Sequence, residues 1–299
     1  MSSHFKTPEG EAAYLAAYTK TLESWPVPFA EIEIPTSHGT SYIVASGPKD
    51  APPLVLLHGF FTTLLLWIPN IAALSKEYRV YAIDLMGNRN RSVPGAPIAD
   101  VDGLVDWLIE TLFGLGLDRF YLAGMSFGGW LAINLTLAAP ERVRRLALIS
   151  PAASLLPLVK QFTLRVMASM LPPRRFWFES LMGWMGIKGG EGNEFSQRLL
   201  DLMWLGGEHI KMSPETMRVM PTVFSDEELD ALRPPVLLLI GENEVIYDAA
   251  NALTRARCLI PDLEGELVPQ CGHDITFSQH ELVDARLLEF LNEGGQDAA

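Results

Sequence analysis

Five short apolar runs punctuate the chain: LVLL at 54–57, VYAI at 80–83, FYLA at 120–123, LALI at 146–149 and VLLLI at 236–240. A strand with one wet face alternates apolar and polar residues. Four or five apolar residues in succession suit strands covered on both faces, as in a parallel sheet enclosed by helices. Helical stretches separate most of the runs. Between 101 and 115, Leu104, Leu108, Leu112 and Leu115 fall on one stripe behind a candidate N-cap, Asp100. This alternation of strand and helix predicts an α/β fold with a mostly parallel, doubly wound sheet.

The ends and the middle of the chain read differently. Residues 11–25 form an amphipathic helix with Tyr14, Leu15, Tyr18 and Leu22 three and four apart, and EIEIP (31–35) and TSYIVAS (40–46) read as a hairpin turning at 37–39. The strand rhythm then lapses between 151 and 231. This stretch holds Met167, Met170, Met182, Met185, Met203, Met212, Met217 and Met220, eight of the chain's 11 methionines, together with Trp177, Trp184 and Trp204. Soft, adaptable apolar side chains gather where a surface must fit a ligand. The expected organisation is therefore a core made of 1–150 and 232–299, with a helical cap inserted at 151–231. The glycine pairs 189–190 and 206–207 read as breaks between cap helices.

The sharpest local signal is Gly124-Met125-Ser126-Phe127-Gly128-Gly129, immediately after one apolar run and before a helical stretch. A serine on so tight a strand-to-helix turn is held clear of the sheet, and its neighbours must lack side chains. The helix behind it favours negative charge at the reacting centre. A second signal is His58-Gly59 at the end of the first buried run. It leaves the amide of Phe60 free to meet a carbonyl oxygen, with the amide of Phe127 as the second donor of an oxyanion hole. A serine needs a base, and the base needs an acid to orient it. Of six histidines, His273 follows Gly272 and the short strand 265–269, whereas His280 begins the last helix. Glu242, Glu244 and Asp248 follow the strand 236–240. Glu244 is favoured as the acid, and Asp248 reads as the cap of the next helix.

Composition narrows the chemistry. Twenty-three Lys and Arg against 36 Asp and Glu give a net charge of −13 in 299 residues, which argues against nucleic-acid binding and anionic substrates. Apolar residues are 48% of the chain, yet no uninterrupted run reaches the roughly 18 to 20 residues of a membrane span. The start of the chain carries no secretory signal, so a cytoplasmic location is expected. Cys258 and Cys271 are too few for a disulfide framework and form no metal-binding pair. No metal or organic cofactor is called for, and a homo-oligomer is left open.

With these motifs in hand, the chain resembles the α/β-hydrolase fold superfamily, in its branch of cap-bearing carboxylesterases, from about residue 30 to 292. The resemblance rests on His58-Gly59, Asp84-Leu85-Met86-Gly87, the serine turn at 124–128 and Gly272-His273. It implies Ser126 as nucleophile, His273 as base and the Phe60 and Phe127 amides as oxyanion donors. Two departures stand out: Glu244 occupies the place where most relatives have Asp, and the loop 84–92 has one extra residue and Arg89 in place of a glycine. The implied activity is hydrolysis of small to medium neutral, apolar esters through an acyl-enzyme, in a pocket of Phe61, Met125, Trp177, Trp184 and Trp204. The alternatives are a carbon–carbon, lactone or amide hydrolase of the same fold, or a ligand receptor with little turnover.

Overall fold

The computed structural model describes residues 4–169, 171–172, 174–190 and 194–293. Among the described residues nine strands form one sheet: β1 (Phe29–Thr36), β2 (Gly39–Ser46), β3 (Pro53–Leu57), β4 (Arg79–Ile83), β5 (Val93–Pro94), β6 (Phe120–Met125), β7 (Val143–Ile149), β8 (Val236–Gly241) and β9 (Leu263–Val268). Their order is β1-β2-β4-β3-β6-β7-β8-β9, with β5 beside β2. From β4 to β9 every pairing is parallel. The leading hairpin is antiparallel, pairing Phe29 with Ser46 and Thr36 with Gly39. Apart from Pro53, every residue of β3, β6 and β8 is buried, which is why those segments carry unbroken apolar runs. Strand β9 at the edge is only half-buried and keeps Glu264 and Glu266, both paired with Arg286. Charge on an edge strand discourages pairing with another chain.

The helices are α1 (Pro8–Leu22), α2 (Ile68–Leu74), α3 (Val101–Gly114), α4 (Phe127–Ala138), α5 (Lys160–Ala168), α6 (Arg174–Trp184), α7 (Glu194–His209), α8 (Asp226–Asp230), α9 (Ala249–Leu259), α10 (Ile275–Ser278) and α11 (His280–Asn292). The side chain of Asp100 accepts from Gly103 N, and that of Asp248 from Asn251 N, so both carboxylates are N-caps. Thr7 caps α1, which therefore starts three residues before the amphipathic pattern suggests. On α1, Tyr14, Tyr18 and Leu22 are buried and Leu15 is half-buried. The Tyr14 hydroxyl donates to Arg89 O at 2.8 Å and that of Tyr18 to Asp84 Oδ2 at 2.9 Å. Just ahead of the helix, Phe5 bridges to Ile210, and the amides of Lys6 and Lys211 donate to His209 O and His4 O. The N-terminal segment thus binds both the loop 84–92 and the end of α7.

Between β7 and β8 the chain forms α5, α6, α7 and α8 with no strand among the described residues. The Gly206-Gly207 pair does not break this region as its sequence suggests, because it lies inside α7. Gly206 is there for space. A Cβ on Gly206 would approach Arg89 Cβ to 3.0 Å, and one on Gly207 would approach Arg89 Nη1 to 3.0 Å. Gly190, by contrast, does lie outside a helix, at φ +126°. Among the described residues no helix is long and apolar enough to cross a membrane.

Candidate active site

Parallel strands release their following loops on the same edge of the sheet, where ligands of α/β folds collect. The loops after β3, β6, β8 and β9 carry His58 to Phe61, Ser126, Glu244 and His273. Ser126 begins the turn into α4 with φ 54° and ψ −116°, a conformation that costs an L-residue about 1–3 kcal/mol. Surrounding bonds impose it: Ser126 N donates to Ile149 O at 2.9 Å, and Ser126 O accepts from Trp130 N and Ala152 N at 3.1 Å each. Crossing so closely leaves no room for side chains. A Cβ on Gly124 would meet Gly128 O at 2.3 Å, and one on Gly128 would meet Leu57 O at 2.4 Å.

His273 connects the serine to the acid. With its Nδ1–H donating to Glu244 Oε2 at 2.8 Å, the ring's Nε2 is left to accept from the Ser126 hydroxyl at 2.9 Å. The Glu244 carboxylate is fully buried, and its other oxygen accepts from Val245 N at 2.8 Å and Ile246 N at 3.1 Å. Burial alone would push its pKa up. The facing His273 ring, the bond from that ring and the two amide bonds outweigh burial and hold the carboxyl below its ordinary value. The extra methylene of Glu is accommodated because the carboxylate folds back onto the amides that follow it. Asp248 is engaged at the start of α9 and takes no part in this chain of bonds.

Phe60 and Phe127 line the same cavity as Ser126, with their rings 5.1 Å apart, and among the described residues neither amide is bonded to a backbone acceptor. Gly59 lies against the serine, a Cβ there falling 3.4 Å from Ser126 Cβ. His58 does not face the serine. It is buried, accepts from Leu85 N at Nε2, and lies 2.7 Å from Gly59 O through Nδ1. Burial pushes it down to about 4, so it stays neutral and holds the loops after β3 and β4 together. Asp84, whose carboxylate receives Tyr18, Leu64 N and Arg91 N, fixes the same junction. Burial pushes the Cys271 thiol up to about 12, which leaves it a poor nucleophile despite its place beside His273.

Ser126 and His273 open into a cavity of about 820 Å³, mouth included. Phe60, Phe61, Met125 and Phe127 line its core side. Leu181, Met182, Met185, Leu199, Met203 and Met220 line the opposite side. Of the expected pocket residues, Phe61 and Met125 are there, whereas Trp177, Trp184 and Trp204 are not. Helical phase is the reason. On α6 Leu181 and Met182 face the cavity, with Met185 just past its end, and both tryptophans lie about a quarter turn away from their centre. Trp177 is 38% exposed, Trp184 lies under the Arg165 guanidinium, and Trp204, one residue past Met203, packs against Phe178. Four of the methionines do line the site, Met167 and Met217 are exposed, and Met170 lies outside the described residues. Among the described residues no three His, Cys, Asp or Glu gather as metal ligands.

Comparison with known proteins agrees with this architecture. Residues 54–285 match the model of the alpha/beta hydrolase family. The uncharacterized carboxylesterase nap of Bacillus subtilis (strain 168) is 37% identical over 93% of this chain and 92% of its own length. Carboxylesterase YbfK of the same organism is 36% identical over 98% of each. The crystal structure of naproxen esterase (carboxylesterase NP) from Bacillus subtilis superposes with a TM-score of 0.88 and 33% identity, covering 96% of this chain and 100% of that one. A family model spanning most of the sequence and relatives aligned nearly end to end leave one conclusion: this chain belongs to the alpha/beta hydrolase family.

Proposed function

We propose that the chain is a serine carboxylesterase in which Ser126 is the nucleophile, His273 the general base and acid, and Glu244 the residue that orients His273. The observation that carries this reading is the unbroken line of hydrogen bonds from Ser126 Oγ through His273 to Glu244 at the floor of an apolar cavity. Ser126 Oγ attacks the ester carbonyl carbon while His273 Nε2 takes its proton. The carbonyl oxygen becomes an oxyanion between the Phe60 and Phe127 amides. His273 then returns the proton to the departing alkoxide, leaving the acyl group on Ser126. Water repeats the sequence and releases the acid.

The stretch 151–231 acts as a cap over the sheet edge. Its methionines favour small to medium esters that are apolar around the scissile bond, because flexible thioethers fill the space left by substrates of different shape. The carboxylesterase names of the two Bacillus relatives support the same reaction class. Hydrolysis of p-nitrophenyl butyrate by the wild type and by a folded Ser126→Ala variant tests the reading. Turnover that falls by several orders of magnitude on substitution is the expected result. Equal inactivity of two folded proteins, or equal activity, overturns it.

A further inference from the structure

Beside the site runs a second cavity, about 790 Å³ with its mouth included, which shares Phe61, Val166, Leu181, Met182 and Met203 with the first. Arg89 lines this second cavity and not the first. Its guanidinium lies 4.7 Å above the Phe61 ring, and its Nε is buried without a hydrogen-bond partner. Among the described residues no carboxylate approaches it within 4.0 Å. Glu208 lines the same cavity, but Arg174 holds its carboxylate at 3.1 Å. The charge of Glu208 offsets only part of the burial that lowers the Arg89 pKa, the buried Nε meets no acceptor, and the planar guanidinium matches a carboxylate in shape.

The protein accommodates this side chain at a cost. Glycine inside a helix is destabilising by about 1 kcal/mol relative to alanine, yet α7 carries two in succession, and a Cβ on Gly206 would press on Arg89 Cβ at 3.0 Å and Arg89 O at 3.3 Å. Phe61 is held at φ 61° with its amide donating to Asn88 Oδ1, which turns the ring beneath the guanidinium. Tyr14 fixes the backbone of Arg89 from the other side. A tightly packed helical glycine and a phenylalanine held at positive φ thus meet at one arginine beside the substrate cavity.

We infer that Arg89 recognises a carboxylate carried by the substrate at a distance from the scissile ester, so that the preferred substrates are half-esters of dicarboxylic acids. This rests on the serine-esterase reading and narrows its substrate class, departing from the wholly uncharged ester that the net charge suggests. The substrate's apolar chain lies along Phe61 and the shared methionines, its ester end at Ser126 and its carboxylate end at Arg89. Lys6 adds positive charge at this end of α7, donating to the carbonyls of Gly207 and Glu208, while Arg174 and Glu208 offset one another.

The test compares ethyl half-esters of dicarboxylic acids of increasing chain length with the diethyl esters and with plain ethyl esters of the same length, by proton release at constant pH. At low salt, kcat/KM of the wild type favours the best half-esters by about tenfold to a hundredfold, mainly through KM, as expected for charge-assisted hydrogen bonds. Added salt reduces the preference. Arg89→Gln removes it and Arg89→Lys restores part of it. A wild type that prefers plain esters, diesters that match half-esters, or an Arg89→Gln variant that slows all three classes by one common factor each overturn the inference. Binding of the free dicarboxylates decides the matter without turnover: a melting shift that monocarboxylates do not give, and that Arg89→Gln abolishes, is the supporting result, and its absence refutes. Failure of ester hydrolysis and failure of carboxylate recognition are therefore separate outcomes.

Discussion

Replacing Glu244 by Gln keeps the shape of the side chain and inverts the hydrogen-bond logic around it. One carboxylate oxygen accepts from two backbone amides, Val245 N at 2.8 Å and Ile246 N at 3.1 Å. In Glu244→Gln the amide oxygen must take that place, because an NH2 group there would face two donors. The NH2 is then aimed at His273 Nδ1, 2.8 Å from the present Oε2. A donor at that position forces Nδ1 to accept and moves the ring proton to Nε2, which faces Ser126 at 2.9 Å. The ring then donates where it has to receive. In serine triads a wrong tautomer of this kind lowers kcat by about 10⁴, or about 5 kcal/mol of barrier. Steady-state hydrolysis of p-nitrophenyl butyrate measures it: kcat and kcat/KM fall together by three to four powers of ten, with KM nearly unchanged, as expected when only transition-state stabilisation is lost. Thermal unfolding checks that the variant is folded. A folded Glu244→Gln enzyme that retains more than a tenth of wild-type kcat refutes the role given to Glu244.

Two further substitutions test the structure that positions the site. Gly128→Ala places a Cβ 2.4 Å from Leu57 O and 2.6 Å from His58 O, both backbone atoms. It is expected to cost about 3 kcal/mol or more in denaturant unfolding, and a loss under about 0.5 kcal/mol contradicts the close packing of α4 on β3. Asp284 accepts from Asn70 Nδ2 at 2.7 Å. Burial, the largest influence, raises its pKa from 3.8 to about 6 against the lowering effects of Asn70 and His280. Because the folded value lies above the unfolded one, this carboxyl's contribution to stability is fully present below the unfolded pKa and is lost as pH rises through about 6. Asp284→Asn removes the buried charge and keeps the acceptor turned to Asn70. It should raise the urea midpoint at pH 8, with the advantage shrinking as pH falls below about 6. An advantage that grows on acidification reverses the assigned sign.

The sequence carried the parts of the fold that depend on neighbours along the chain. The unbroken apolar runs mark β3, β4, β6, β7 and β8 to within a few residues, because burial on both faces leaves no other pattern. The serine turn is legible for a similar reason, since its crossing strands exclude side chains at positions 124 and 128. The convergence of Ser126, Glu244 and His273 follows once parallel strands are accepted, because their loops share one edge. Helix phase was harder to read. Methionines and tryptophans alternate on α6 and α7, and composition cannot tell which of two adjacent residues, such as Met203 and Trp204, faces the cavity. The pair Gly206-Gly207 looked like a break because its reason lies on a loop more than a hundred residues earlier. Likewise nothing local to Tyr14, Tyr18 or Asp84 announces that they meet.

That long reach of the N-terminal segment has a consequence in time. The backbone partners of the segment just ahead of α1, at 209–211, and the helix beneath it are synthesised some two hundred residues after it. Until then Tyr14, Tyr18 and Leu22, buried in the finished protein, have no α7 to pack on. Contacts so distant in sequence carry a high cost of chain closure and form late. Docking of this segment on the end of α7 therefore requires closing a loop of some two hundred residues. Helix α1 in turn gives Asp84 and the Arg89 carbonyl their tyrosine partners, so the loop 84–92 is held in place by a distant part of the chain.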